Sequence, residues 1–187
     1  MKEDKRIINS RNKIESSFIN CMMNKTIDEI TINEICNEAN INRSTFYAHY
    51  NDKYELLADA IDDLKNSLIM ELNKNKSISN TKEYYLEMIR LFLNNIEEKK
   101  DIYLAVMINN RNSIMVDIIY DVLDHDVTTR LKESKDKNDN TVPINIAAKF
   151  YLGAVFNVGI EWLRNDSRYT KDDIINYLDL LIPDNLN

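Results

Sequence analysis

The sequence predicts an all-α protein: a small N-terminal unit of three helices containing a helix-turn-helix, followed by a larger helical body. Three observations carry that expectation. The 187 residues include only two Gly and two Pro, too few for the many tight turns of a multi-strand β fold. Apolar residues recur at i, i+3, i+4 and i+7 in one segment after another, the spacing that gathers them on one side of a helix. Short polar motifs with the chemistry of helix caps stand in front of several of these segments.

The first helix is expected over residues 7–23, with Ile7, Ile14, Phe18, Cys21 and Met22 along one face. Thr31-Ile32-Asn33-Glu34 then reads as a capping box, in which Thr31 accepts from a free backbone N–H and Glu34 reaches back. Ile30 and Ile35 flank it as a hydrophobic staple, and Ile32, Ile35, Cys36 and Ala39 form the stripe of a short helix. Asn40 stops it, since Asn tolerates the left-handed backbone that a sharp turn needs. Asn42 is the N-cap of the next short helix, with Ile41 and Phe46 as a second staple and Tyr50 one turn beyond, both rings turned to the core. Asp52, with Glu55 in the box position, caps a fourth helix bearing Tyr54, Leu57, Ala58, Ile61, Leu64 and Leu68.

Farther along, Lys74–Asn80 is a polar break, and helices are expected over 81–98, 101–109 and 113–133. Residues 134–141 are a polar loop, Pro143 opens a helix reaching Arg164, and Thr170 caps a last helix closed by Pro183. The 143–164 segment is apolar nearly all round, so two of its sides must be covered. Both glycines lie inside it, where each costs about 1 kcal/mol relative to Ala, which calls for a close helix approach. A second subunit supplies the cover most simply, and a central core helix of a monomer is the other reading. In the first case Phe150, Gly153, Ala154, Gly159 and Trp162, with Ile174, Leu178 and Leu181 of the last helix, form the dimer interface.

Composition narrows the function classes. Apolar residues make up 44% of the chain, enough for a core. No apolar run is expected to reach the length of a membrane span and the N-terminus is too polar for a signal peptide, which places the protein in the cytoplasm. Cys21 and Cys36 lie on apolar faces, unlike the exposed, electropositive sites of reactive thiols. No Ser-His-Asp set, phosphate-cradling Gly loop or metal-ligand spacing occurs, so neither catalysis nor a cofactor or metal is expected; the acidic cluster Asp59, Asp62, Asp63 reads as a solvated face. The net charge is −7, yet residues 1–53 carry eight basic and eight acidic side chains, so the whole excess lies in the body. A neutral head can bind DNA if its few cations converge on phosphates.

Two capped helices joined by Ala39-Asn40-Ile41-Asn42 make a helix-turn-helix, a spacing that a structural hairpin also has. The residues left over decide between them. Once the core takes Ile41, Phe46 and Tyr50, the second helix offers Arg43, Ser44, Thr45 and Tyr47 near its N-terminus. Arg can fork onto guanine, and Ser or Thr can serve bases or phosphates. That set suits a reader of the DNA major groove.

The stretch TINEICNEANINRSTFYAHY (31–50), followed by NDKYELL, resembles the helix-turn-helix of the TetR family of transcription regulators. The resemblance covers residues 8–68 as a DNA-binding domain and leaves 69–187 as an effector-binding and dimerisation domain. It implies that Thr31 and Asn42 hold backbone phosphates as caps, that Thr45, Tyr47 and Lys53 also contact phosphates, and that Arg43, Ser44 and His49 face base edges. His49 has a packing role as its alternative. The family usually has Gly where this chain has Asn40 and Ser44. The segment FYLGAVFNVGIEWLRNDSRYTKDDIINYL is similar to the C-terminal region of regulators of dihydroxyacetone-kinase operons, some of which act with a kinase-like partner. The expectation is therefore a homodimeric repressor released from a palindromic operator in double-stranded DNA by a small-molecule effector, or else a co-activator controlled by a protein partner. No pocket residue is assigned from the sequence.

Overall fold

A computed structural model describes residues 5–74, 81–110, 114–134, 142–164 and 168–182. Among the described residues the regular structure is helical throughout: α1 (Lys5–Met22), α2 (Ile32–Glu38), α3 (Arg43–Tyr47), α4 (Lys53–Leu72), α5 (Thr81–Glu98), α6 (Lys100–Asn110), α7 (Ile114–Ser134), α8 (Ile144–Arg164) and α9 (Lys171–Leu181). The polar segment 75–80, the loop 135–141 and Pro183 fall outside the described residues.

Local chemistry sets the ends of the first helices. Thr31 caps α2 with its Oγ1 accepting from the Glu34 N–H at 3.2 Å, while the Glu34 carboxylate accepts from the Thr31 N–H at 2.8 Å. At the other end Asn40 takes a φ of 51°, the left-handed region where Asn is tolerated better than most residues. Its N–H reaches the Asn37 carbonyl at 3.1 Å, and the Ile41 N–H reaches the Cys36 carbonyl at 3.0 Å. This is a Schellman closure, which satisfies the carbonyls that the ending helix leaves open. Asn42 occupies the N-cap of α3 in extended backbone, but its side chain makes no cap hydrogen bond. Asp52 caps α4, accepting at 2.8 Å from the N–H groups of both Tyr54 and Glu55. Glu55 reaches back one residue farther than the expected box, to the Asn51 N–H at 2.6 Å.

Two compact units form, and they do not follow the sequence division at residues 68 and 69. One comprises Met1–Asp63 with Asp101–Ile119, the other Leu64–Lys100 with Tyr120–Asn187. The first unit closes over Ile14, Phe18, Ile27, Ile30, Ile35, Phe46, Leu56 and Met115, with Val106, Ile118 and Ile119 packed against them. Its packed cluster begins at Ile14, so Ile7 stays exposed, contrary to its expected place on the core stripe. The end of α6 is tied to the α1–α2 connection by two neighbouring amides. Asn110, fully buried, accepts from the Ile27 N–H at 2.6 Å and donates to the Val106 carbonyl at 2.9 Å; Asn109 donates to the Met23 carbonyl at 2.8 Å. Cys36 is buried and Cys21 half-buried, and burial pushes both thiols up, away from reactivity.

In the second unit α9 packs on α5 and α8, with Ile174, Ile175, Leu178 and Ile182 inside. Arg90 to Asp172 (3.1 Å), Lys171 to Glu97 (2.8 Å) and Lys82 to Asp179 (2.9 Å) bind α5 to α9 at its edges. Three expectations need correction here. Ile174 and Leu178 belong to the protomer's own core and are not available to a partner; of the three α9 residues expected at the interface only Leu181 is exposed, and Leu180 is exposed beside it. A Cβ added at Gly159 meets nothing within 4 Å, and one at Gly153 meets the Tyr120 hydroxyl at an ordinary 3.6 Å, so no close helix approach within the protomer explains either glycine. Finally, α8 is long and apolar enough to cross a membrane by length and composition, with mean hydropathy 1.2 over 18 residues. That apolarity belongs to a helix with Phe150 67% exposed in the protomer, while Gly153, Ala154 and Trp162 are half-buried.

Candidate nucleic-acid interface

The surface of α3 is fixed from beneath. Phe46 is fully buried, and Tyr50 lies beside it with ring centroids 5.9 Å apart. The Tyr50 hydroxyl donates to Asp59 at 2.8 Å and accepts from Arg11 Nε at 3.3 Å. Arg11 in turn bridges Glu15 (3.1 Å), Asp59 (2.8 Å) and Asp63 (2.7 Å). One guanidinium thus binds α1, the end of the helix-turn-helix and α4. Burial and the bond to Asp59 raise the Tyr50 hydroxyl well above its ordinary pKa, and the Tyr50 and Asp59 bonds raise Arg11.

Asp59 and Asp63, expected as part of a solvated face, are half-buried and exposed, and both are paired. The carboxylates of Glu15, Asp59 and Asp63 lie within 4.8 Å of one another, but the cation they gather around is Arg11. Sequence reasoning missed Arg11. Its spacing of four from Glu15 was a visible signal, while Tyr50, Asp59 and Asp63 are 39 or more residues away and gave none.

Among the expected contact residues, Asn42, Arg43, Ser44 and Tyr47 are exposed, and Thr45 and His49 are half-buried. Arg43 supplies the basic group of α3. Its Nη2 donates to the Tyr47 hydroxyl at 3.2 Å and its guanidinium lies 5.7 Å from the Tyr47 ring centroid. The Tyr47 ring stands edge-on to Phe46 at 5.6 Å and 87°.

Three other expected contact residues make bonds within the protein. His49 turns to α1, sharing a 2.7 Å hydrogen bond between its Nε2 and Ser10 Oγ, which is what its packing alternative calls for. The Thr31 hydroxyl is taken up by Glu34. Lys53 donates to the carbonyls of Asp28 (2.9 Å) and Ile30 (2.7 Å), stapling the α1–α2 connection; a third ammonium proton remains for a phosphate. The Tyr54 hydroxyl adds a bond to Asp28 at 3.1 Å.

Chemically, this surface combines a forked cation, a hydroxyl and an amide on a short helix whose buried side is already satisfied. Such a helix fits the major groove, where base edges present acceptors and donors to Arg, Asn and Ser.

Comparison with known proteins agrees with that geometry. Residues 20–60 match the family described as bacterial regulatory proteins, tetR family, and residues 83–184 match a TetR C-terminal family described as transcriptional regulator C-terminal region. A curated relative, the uncharacterized HTH-type transcriptional regulator YxbF of Bacillus subtilis, is 37% identical over 59 residues, which are 31% of this chain and 16% of the relative. The match thus spans about a sixth of that relative's length. Among solved structures, the fatty acid degradation regulator FadR of Bacillus halodurans aligns with TM-score 0.67 at 14% identity, over 97% of this chain and 96% of that one. A TetR regulator of Streptococcus agalactiae aligns at 0.64 and 23% identity, over 95% and 96%. FadR of Bacillus subtilis, solved with stearoyl-CoA, aligns at 0.63 and 14% identity, over 91% and 96%. At these identities the likeness is one of fold.

Proposed function

We propose, from the premise that this chain belongs to the TetR family of DNA-binding transcriptional regulators, that it works as a homodimeric repressor which leaves a palindromic operator when an effector binds its body. The observation that carries this reading is the open α3 surface of Arg43, Ser44 and Tyr47 above a separately closed core. Arg43 and Ser44 read bases, while Asn42, Thr45 and Lys53 anchor phosphates; Thr31 serves chiefly as the cap that sets α2. Two heads on a two-fold axis read half-sites about 34–36 Å apart, or a multiple of that. A regulator of this kind acts where bacterial DNA is, in the cytoplasm.

The exposed apolar residues of α8 and α9 support the dimer: Phe150, Leu180 and Leu181 are 67%, 83% and 74% exposed in a single protomer. The stearoyl-CoA complex of the Bacillus subtilis structural relative supports a small-molecule effector site in the body. Both α4 and α7 contribute residues to each compact unit, so they are the continuous elements through which an effector can act on the head. The effector shifts DNA binding only by as much as it prefers one state over the other. A co-activator answering to a kinase-like protein draws no support from the comparisons.

The test compares Arg43→Ala with Lys53→Ala on duplexes drawn from the chain's own upstream region. Loss of Lys53 should weaken binding on all sequences and lower the salt slope by roughly one. Loss of Arg43 should relax the preference for one base pair. Identical profiles for both variants, or no retardation of any duplex at low salt by the unaltered protein, would sink the reading.

A further inference from the structure

We infer that Tyr47 is a positioning residue for base readout: it aims the Arg43 guanidinium at one guanine of each half-site, and phosphate anchoring is not its main task. This rests on the DNA-reading role of α3 and goes beyond it. The argument starts with freedom. An exposed Arg side chain samples many rotamers, and fixing it on a base costs conformational entropy at the moment of binding. Here the fixing is done in advance. Tyr47 lies one turn after Arg43, so both side chains stand on the same strip of α3. The Tyr47 hydroxyl accepts from Arg43 Nη2 at 3.2 Å, and the guanidinium sits 5.7 Å from the ring centroid, a combined hydrogen-bond and cation–π restraint.

The restraint would be empty if Tyr47 were itself loose. Its ring stands edge-on to Phe46, at 5.6 Å and 87°, and Phe46 is fully buried. The core thus holds the tyrosine, and the tyrosine holds the arginine. Nη2 carries two protons, so with one bonded to Tyr47 the fork still has a paired edge, Nη2 with Nη1 or with Nε, for the two guanine acceptors in the major groove. Pairing with Tyr47 also keeps the guanidinium firmly charged. A hydroxyl engaged with the reading arginine is poorly placed for an independent bond to a phosphate.

The experiment selects binding sites from a library of random-sequence duplex DNA with the full-length protein, Tyr47→Phe, Arg43→Ala and the double variant. Titrations then follow on the winning duplex and on the same duplex altered at single base pairs. Tyr47→Phe keeps the ring and its packing on Phe46 but removes the hydroxyl. The expected result is a loss of about fivefold in discrimination at one guanine per half-site, the worth of one hydrogen bond. It should occur at the same base pair at which Arg43→Ala loses its preference, and adding Tyr47→Phe to Arg43→Ala should change nothing further there. A uniform loss on every duplex with the selected motif intact overturns the inference and restores a phosphate contact. A loss of preference at a different base pair also overturns it. Failure of the unaltered protein to enrich any motif is a separate result, and it overturns the regulator reading as well.

Discussion

Glu34 has three tasks in one carboxylate: it accepts from the Thr31 N–H at 2.8 Å and from the Thr31 hydroxyl at 2.9 Å, and it pairs with Lys25. Led by the bond from Lys25, these partners hold its pKa down at about 2, below the ordinary value of about 4.3. A carboxylate depressed on folding adds stability that is present above its unfolded pKa and lost as pH falls through the folded one. Thermal melts taken between about pH 4.5 and 2 should therefore show a falling midpoint, and Glu34→Gln should flatten that fall; parallel curves for the two proteins would count against it. Glu29 and Asp173, lowered chiefly by backbone bonds at Thr26 and Thr170, act with the same sign, while Glu15, raised by burial, acts with the opposite one. Residues such as Thr31, Glu34 and Asp52 were legible in the sequence because their partners lie within four positions. Arg11 was not, because a charge network across α1 and α4 leaves no local pattern. The choice between the two readings of His49, base edge and packing, was not legible for the same reason: its partner, Ser10, is 39 residues distant.

At the scale of elements, periodicity located the helices well and their neighbours poorly. Residues 81–98 were expected to be helical and form α5 with those bounds, since a stripe at 3.6-residue spacing states that one face is covered. It does not state what covers it. That is why α6 and the start of α7 join the head's compact unit without warning. The joint at Asn110 is testable. Asn110→Leu leaves the Ile27 N–H buried without an acceptor, at a cost of about 1–3 kcal/mol. Asn110→Asp retains an acceptor at that place, so its midpoint in urea should lie above that of Asn110→Leu; the reverse order would show that the amide does not satisfy Ile27. The turn offers a second test. Asn40 at φ 51° makes Asn40→Ala unfavourable by about 1 kcal/mol, while Asn40→Gly should fall within a few tenths of the parent protein. Equal losses for Ala and Gly would mean that the Asn40 side chain, and not its backbone, holds the Schellman closure.

The whole molecule sets a neutral DNA-reading segment against a body that carries the entire net charge of −7. An acidic body repels a polyanion, so the bond to DNA has to be made by few, well-aimed groups, and two heads on one operator multiply what each lacks alone. Dimerisation, as proposed, would meet that need; for its interface the sequence offers residues of α8 and α9, not all of which are exposed on the protomer. Apolar stripes mark burial without telling a protomer's own core from a partner's surface, and Ile174 and Leu178 went to the core. Open on the protomer are Phe150, Ile146, Leu180 and Leu181, each more than half exposed. Phe150→Asp combined with Leu181→Asp should therefore convert the protein to monomers in sedimentation equilibrium. Both side chains are mostly exposed in the protomer, so the helical signal in circular dichroism should persist while binding to a two-half-site operator falls far more than binding to a single half-site. A double variant that stays dimeric would move the interface off these residues, and a monomer that still binds the full operator as tightly would remove the need for two linked heads.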